Sequence, residues 1–256
     1  MPIRRATSAD FPAINAVCAA AFHDDELFGD MIHPLRDQYP DDFQHFFARR
    51  NRENWWDYTH ETWVAIVTED SKEKIVGMGE WQRMGRANEG RGIEWWDPRQ
   101  LLKPAQQRLN TLSTRIWPNR AVKEPRLENA FVEAYPFFHH HWSDARADSW
   151  YLDLLAIHPA YQGRGLGKEL VAYGMRRAKE DGVCCSVVAS RIGEKFYLTC
   201  GFDTPVGWAT EGEGNPLKGA AGGRILFRDA DELEKDEDEV RRVKNEGIDL
   251  EIERTR

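Results

Sequence analysis

Residues 150–168 read Trp150-Tyr-Leu-Asp-Leu-Leu-Ala-Ile-His-Pro-Ala-Tyr-Gln-Gly-Arg-Gly-Leu-Gly-Lys168. The apolar first half predicts a buried strand that ends at Ile157. Gly163, Gly165 and Gly167 then alternate with other residues where a helix begins, and glycine lets the backbone come close to a ligand. Free amides at a helix start suit an anion such as a pyrophosphate. The segment predicts a phosphate-bearing cofactor; the alternative is a tight strand-to-helix turn without a ligand, which has the same composition.

Two better-known phosphate-binding motifs do not fit this turn. A P-loop ends in Lys followed by Ser or Thr, and that ending is missing. The spacing G-x-G-x-G also differs from the G-x-G-x-x-G of dinucleotide-binding folds, and no acidic residue at a strand end follows about 20 residues later. The sequence therefore excludes a P-loop and a dinucleotide-binding turn at this position.

The turn fits the acyl-CoA signature Gln/Arg-x-x-Gly-x-Gly/Ala through Gln162, Gly165 and Gly167. A second motif, Ala189-Ser-Arg-Ile-Gly-Glu-Lys-Phe-Tyr-Leu-Thr-Cys-Gly-Phe202, reads as a strand, a short helix and a Phe-Tyr-x-x-x-Gly-Phe ending. With the weaker opening Ile3-Arg-x-Ala-Thr-x-x-Asp10, these motifs make the chain resemble the GCN5-related N-acetyltransferase (GNAT) superfamily. The resemblance covers about residues 1–83 and 149–228.

The hydrophobic pattern predicts an α/β fold, because strands alternate with helices in the second half and a hairpin near residue 70 makes the sheet mixed. The resemblance implies a GNAT fold, in which helices flank a mixed central sheet with splayed strands. The predicted strands are 2–7, 62–68, 74–83, 149–157, 183–189 and 223–227. The predicted helices are 8–22, one that follows Pro40 and runs to Asp57 with Asp41 or Asp42 as its N-cap, about 99–116, about 124–142, 165–181 and 193–200.

Three segments are expected along the chain. Residues 1–228 form the acetyltransferase domain, residues 84–148 are a proline-punctuated helical insertion or lid within it, and residues 229–256 are an acidic tail. Seven of the ten tryptophans fall between residues 55 and 117, namely Trp55, Trp56, Trp63, Trp81, Trp95, Trp96 and Trp117. Most are expected to fill the core, and a few to line an acceptor pocket.

The resemblance implies acetyl-CoA as co-substrate. It assigns backbone groups of Leu155, Ala156 and Ile157 to the pantetheine, and amides from Gly163 to Lys168 to the pyrophosphate. The complete implied set is Leu155, Ala156, Ile157, Gln162, Gly163, Arg164, Gly165, Leu166, Gly167, Lys168, Ser190 and Tyr197. The side chains of Arg164 and Lys168 either add charge to the phosphates or are solvated. Ser190 stands where many family members carry asparagine.

Tyr197, Asp153 and Glu80 are the candidate catalytic residues. Tyr197 matches the family tyrosine near the CoA sulfur, and a neutral phenol can donate a proton at neutral pH. Asp153 lies two residues before Leu155 on the same predicted strand face, and is the first candidate for the base or water relay that deprotonates the amine. Pairing of Asp153 with an arginine is the alternative. Glu80 on the earlier strand is the second candidate base.

Composition excludes several classes of function. Of the net charge of −8, the tail contributes −6 through twelve Asp/Glu against six Lys/Arg, so the near-neutral body argues against a nucleic-acid partner. No apolar run reaches the length of a membrane span and the start lacks a secretory signal, so a cytoplasmic protein without a membrane partner is expected. The four cysteines show no zinc spacing, and no metal is expected.

These observations predict an enzyme that transfers acetyl from acetyl-CoA directly to a small-molecule amine in a ternary complex, as a monomer or a homodimer. Two alternatives stay open. One is a protein or peptide N-acetyltransferase, and the other is a non-catalytic acyl-CoA-binding sensor module.

Overall fold

The computed structural model describes residues 2–85 and 97–233 of the chain. Its strands are β1 (Ile3–Arg5), β2 (His60–Glu69), β3 (Lys72–Met84), β4 (Ser149–Ile157), β5 (Cys184–Ser190), β6 (Thr204–Trp208) and β7 (Gly222–Arg228). Its α-helices are α1 (Phe11–Ala21), α2 (Pro40–Trp55), α3 (Arg99–Ile116), α4 (Ala130–Phe138), α5 (Leu166–Asp181) and α6 (Glu194–Thr199). A π-helix spans Glu26–Ile32, and short 3₁₀ turns include Pro125–Asn129. Trp95, Trp96 and the tail from residue 234 lie outside the described residues.

The strands form one seven-stranded sheet in the order β1-β2-β3-β4-β5-β7-β6. Only the β4–β5 pair is parallel, and α5 crosses over between these two strands; every other pair is antiparallel. The mixed sheet with flanking helices confirms the predicted α/β fold class.

Helices cover both faces of the sheet because the strand residues alternate between them. On one face, Ile14 and Phe47 of α1 and α2 pack against Val64, Met78 and Leu154. On the other face, α5 packs against the sheet through two neighbouring clusters. One cluster contains Ala65, Val76, Leu166 and Leu170. The other contains Trp81, Leu152 and Val171.

A β-bulge interrupts the β3–β4 ladder at Asp153. Glu80 pairs with Leu154 and Trp81 pairs with Leu152, so Asp153 is an extra residue in β4. A bulge reverses the alternation of side chains. Asp153 therefore contacts α2, whereas Leu155 packs against α5. The expectation that these two side chains share a strand face was wrong, because one inserted residue shifts the period.

Strand β6 was missing from the sequence expectation. Its sequence, Thr204-Pro-Val-Gly-Trp208, contains proline and glycine, which are depleted in strands. It pairs only with β7 at the edge of the sheet, and an edge strand tolerates a proline that has no amide hydrogen to donate.

Candidate active site

Strands β4 and β5 separate halfway along their length. Their parallel ladder joins Ser149–Leu152 to Cys184–Val187, while β4 continues to Ile157 and β5 to Ser190. Residues 155–157 still pair with β3 on their other side. Beyond Leu152, the described strands leave the β5-facing backbone of β4 available to an extended ligand. This is the splay that the sequence resemblance implied.

The glycine-rich turn lies directly beyond this opening. Gly163 and Gly165 have φ angles of 74° and 80°, a region that disfavours other residues, and Gly165 is the N-cap of α5. A Cβ atom added at either glycine would meet no atom within 4 Å. The turn therefore forms an open cradle of backbone amides at a helix start, which fits a pyrophosphate.

The side chains of the turn make contacts of their own. The Gln162 side-chain amide donates to the Ile157 carbonyl at 3.1 Å. The Arg164 guanidinium lies 4.8 Å from the centre of the Tyr161 ring. These contacts hold the two side chains against the protein.

A cavity of about 1770 Å³ runs from this turn, through the splay, to α2, α3 and α4. Typical small-ligand pockets occupy roughly 300–1,000 Å³, so there is room for a large cofactor and a second substrate. The turn residues Gln162 to Lys168 line one end, and the middle holds Leu155, Ile157, Ser190 and Tyr197. The far end is lined by Phe28, Phe131, Tyr135, Phe138, Trp142 and Tyr151, and by polar residues of α2 and α3.

Tyr197 on α6 lines the cavity. Its ring packs edge-on against Phe196 and Phe202, and burial together with the nearby charge of Asp25 raises the pKa of its hydroxyl. Ser190 accepts a hydrogen bond from the amide of Gly193 at 3.1 Å, at the start of this helix. The phenol is therefore neutral at physiological pH and remains a proton donor.

Asp153 and Glu80 both bind the guanidinium of Arg50. Arg50 Nη2 donates to Asp153 Oδ2 and Nη1 donates to Glu80 Oε2, each at 2.5 Å. The guanidinium and His60 hold the pKa of Asp153 down at about 2, against the effect of burial. Asp153 lines the cavity, whereas Glu80 is 1% exposed and is not part of the lining. Arginine pairing, the alternative weighed for Asp153, is what the structure shows.

His60 is a site residue that the sequence did not reveal. Its Nε2 lies 3.7 Å from Asp153 Oδ2 and its Nδ1 lies 3.6 Å from Asp57 Oδ2. These carboxylates outweigh burial and raise the pKa of His60 to about 9. No motif marks this residue, because its partners come from a distant strand and from the preceding turn.

Asp25 is a second residue that the sequence analysis missed. It follows α1 and lines the cavity, and its Oδ1 accepts hydrogen bonds from the amides of Leu27 and Phe28 at 3.0 and 2.8 Å. Burial raises the pKa of this carboxyl despite both bonds. The available signal was the acidic run Asp24-Asp25-Glu26 just after a helix end.

Aromatic rings form the far wall of the cavity. Phe28 and Phe131 lie 5.0 Å apart, and Trp142 meets Tyr151 edge-on at 5.7 Å between ring centres. None of the described tryptophans from 55 to 117 belongs to this lining, and Trp81 is fully buried beneath α5. The expectation that some of those tryptophans line the pocket was therefore wrong for the described ones, and phenylalanines, tyrosines and Trp142 form the wall instead.

Within the described ranges 2–85 and 97–233, no group of three or more His, Cys, Asp or Glu side chains could hold a metal ion. In the same ranges, no helix has both the length and the apolar character needed to cross a membrane.

Comparison with known proteins finds similarity to acetyltransferases. Residues 126–204 match the family model described as an acetyltransferase (GNAT) domain. A protein of Stachybotrys chartarum described as an acetyltransferase is 26% identical over 206 residues, which are 78% of this chain and 80% of that protein. An uncharacterized N-acetyltransferase ycf52-like of Prochlorococcus marinus is 42% identical over 62 residues, or 24% of this chain and 31% of that one.

Two solved structures share the fold. One is described as histone acetyltransferase HPA2 and related acetyltransferase from Corynebacterium glutamicum. It has a TM-score of 0.53 and 20% identity, with 89% of this chain and 94% of that chain covered. The other is arylalkylamine N-acetyltransferase 2 from Aedes aegypti, with a TM-score of 0.51, 10% identity, and 89% and 98% of the two chains covered.

Proposed function

We propose that the chain is an acetyl-CoA-dependent acetyltransferase of the GNAT family and that its acceptor is a small cationic amine with an apolar body. The observation that carries the proposal is the single cavity that joins the glycine turn to a wall of aromatic rings with Tyr197, Asp25 and Asp153 between them. Direct transfer in a ternary complex suits such a cavity, because both substrates can be held side by side.

The residues of the first half of the cavity fit acetyl-CoA. The turn from Gly163 to Lys168 offers amides for the pyrophosphate, and residues 155–157 offer the unpaired strand edge for the pantetheine. The Gln162 side chain bonds the Ile157 carbonyl of this edge, while Arg164 lies on the Tyr161 ring and Ser190 accepts from the Gly193 amide. When bound, acetyl-CoA supplies an activated acetyl group as a thioester.

The acceptor amine must lose a proton before its nitrogen can attack, because a primary ammonium titrates near pH 10.4. Asp25 is the carboxylate best suited to take that proton, directly or through water. Its pKa is raised by burial, whereas that of Asp153 is lowered to about 2 by Arg50 and His60. A stronger conjugate base is the better proton acceptor.

Asp153 is proposed to bind the acceptor cation and not, as first expected, to act as the base. It stays ionised and faces the cavity, so it attracts and orients the positive amine and an attached water. Glu80, buried behind it, holds Arg50 in place. Tyr197 donates a proton from its hydroxyl to the leaving sulfur.

The enclosure at the far end favours a small molecule over a peptide. Helix α3 lies over α2, with Gln107 and Asn110 donating to the carboxylate of Glu53 and Lys103 bonded to Asp57. These bonds fix α3 against α2, and both helices contribute residues to the cavity lining.

The experiment is acetyl-CoA-dependent thiol release with 2-phenylethylamine, spermidine, glucosamine and a lysine-rich peptide, with acetyl-CoA binding measured by calorimetry. Turnover of the arylalkylamine is expected. Robust acetylation of the peptide with inert small amines would indicate a peptide acetyltransferase. Binding of acetyl-CoA with no thiol release on any acceptor would indicate a sensor module.

A further inference from the structure

Four charged side chains, Arg50, His60, Glu80 and Asp153, lie in contact with one another, and we refer to them as the charge cluster. Arg50 bonds both carboxylates at 2.5 Å, and His60 Nε2 lies 3.7 Å from the Asp153 oxygen that Arg50 also binds. With His60 protonated, the cluster holds two positive and two negative charges. It is therefore electrically balanced before any substrate arrives.

The cluster meets the cavity through Asp153 and Arg50, which are among the lining residues. The side chains of His60 and Glu80 are 7% and 1% exposed and lie behind them. An ammonium that enters the cavity thus meets the carboxylate of Asp153 first, with His60 on the far side of that carboxylate.

His60 has acceptors at both ring nitrogens. On one side Nε2 faces Asp153 of β4; on the other, Nδ1 lies 3.1 Å from Thr59 Oγ1, which donates to Asp57 Oδ1 at 2.8 Å. Glu80 of β3 is a further charge that acts on the ring, and Arg50 of α2 and Lys103 of α3 bind the carboxylates on its two sides. Acceptors on both sides favour the doubly protonated imidazolium.

A cationic acceptor beside Asp153 would give the charge cluster a net positive charge. The cluster would then hold three positive charges against two negative ones, in surroundings where charge is poorly screened. Arginine does not give up a proton in proteins, so His60 is the cation of the cluster that can.

We propose that His60 determines the charge that the acceptor site accepts, by releasing its Nδ1 proton when a cationic ligand binds at Asp153. The proposal rests on the cationic acceptor of the proposed function. The His60 imidazolium becomes a neutral imidazole, its proton passes to the solvent, and the bound cation is unchanged. Thr59 and Asp57 connect Nδ1 to the solvent beside Lys103, whose side chain is 39% exposed. Nε2–H stays directed at Asp153.

The test uses phenethyltrimethylammonium, a permanent cation with no dissociable proton on its nitrogen. Its binding to the full chain is measured by calorimetry at pH 7.5 in buffers of different ionisation enthalpy, which counts the protons released. We expect close to one proton per bound cation for the wild-type protein, since the ligand itself has none to lose. His60→Gln is expected to bind the cation with almost no proton release. His45→Gln, at an exposed position on α2, is the matched control and should behave as wild type.

The wild-type measurement alone can overturn the proposal. Binding without proton release, or failure of the cation to bind at millimolar concentration, contradicts it, and so does undiminished release from a folded His60→Gln protein. The thiol-release panel judges the proposed function separately. Turnover of small amines, combined with no proton release when phenethyltrimethylammonium binds, would refute only the role of His60. No turnover of any amine would refute the proposed function itself.

Discussion

Asp153 Oδ2 lies 2.5 Å from Nη2 of Arg50, and the bulge in β4 is what turns this carboxylate toward α2 and the cavity. Without the inserted residue, the side chain would alternate onto the face covered by α5. The ion pair keeps Asp153 negative over the whole physiological range, with a pKa of about 2. It therefore suits attraction of a cation better than removal of a proton.

Asp153→Asn tests this assignment. The amide keeps the shape and loses the charge, so the KM for a cationic amine is expected to rise about tenfold or more, because hydrogen bonds to charged groups contribute roughly 1.5–3 kcal/mol. Steady-state kinetics measures this, with kcat little changed. Asp70→Asn, the same exchange in the β2–β3 turn outside the cavity lining, is the control. An unchanged KM would remove Asp153 from acceptor binding.

Asp25→Asn tests the proton acceptor. In the wild-type enzyme, kcat/KM should fall as the pH drops through the raised pKa of Asp25, because the protonated carboxyl cannot accept a proton. The variant is expected to lose about 100-fold in kcat and to lose this acidic limb of the pH profile. Asp153→Asn should keep the limb. The reverse pattern, with the limb lost only in Asp153→Asn, would return the role of base to Asp153.

Tyr197→Phe removes only the phenolic hydroxyl. We expect kcat to fall by about 10–100-fold, while the Kd for acetyl-CoA from calorimetry changes less than about twofold, because the backbone groups that we propose bind the cofactor are unaffected. Tyr39→Phe, at a ring that stacks on Arg120 outside the cavity lining, is the matched control. Wild-type kcat in Tyr197→Phe would exclude the hydroxyl from the reaction.

Gly174 on α5 is a steric requirement of the fold. A Cβ atom there would lie 2.1 Å from the ring of Trp81, which donates from Nε1 to the Leu170 carbonyl at 3.2 Å. Gly174→Ala is therefore expected to destabilise the protein by about 1–3 kcal/mol in denaturant unfolding, although alanine is the better helix former. In a Trp81→Phe background, the smaller ring should reduce this cost. Equal costs in both backgrounds would refute the clash.

The pKa of about 9 for His60 also predicts a pH dependence of stability. A pKa raised by folding contributes stability that is complete below the unfolded value of about 6.5 and is lost as the pH rises through the folded value. The wild-type free energy of unfolding should thus decline between about pH 6.5 and 9, by an amount of the order of 3 kcal/mol, while that of His60→Gln stays flatter. Parallel curves for the two proteins would contradict the raised pKa.

Local sequence patterns predicted the elements that depend on local chemistry. The apolar run of β4 and the glycines after it gave a strand that the structure places at the same bounds, 149–157, and the glycine-rich turn lies at the N-terminus of α5 as expected. Helix α3 likewise coincides with its predicted range, 99–116. Periodicity and glycine placement are properties of neighbouring residues, so they can be read without knowing the fold.

The partners of the site could not be predicted in this way. The bulge at Asp153 is a matter of register between β3 and β4, and the ion pairs of Arg50 join residues 30 and 103 positions apart. His60 and Asp25 owe their perturbed pKa values to carboxylates and burial supplied by the folded chain. Such properties arise only when distant elements pack together.

The central claim is that one cavity brings acetyl-CoA together with a small cationic amine, and thiol release from acetyl-CoA with 2-phenylethylamine tests it most directly. The measurement compares the wild-type protein with the Asp25→Asn and Tyr197→Phe variants, each first shown by calorimetry to bind acetyl-CoA. We predict release by the wild type that depends on the amine and falls sharply in both variants. Two results would contradict the account. One is thiol release by the wild type only with the lysine-rich peptide, and the other is binding of acetyl-CoA without thiol release in the presence of any amine tested.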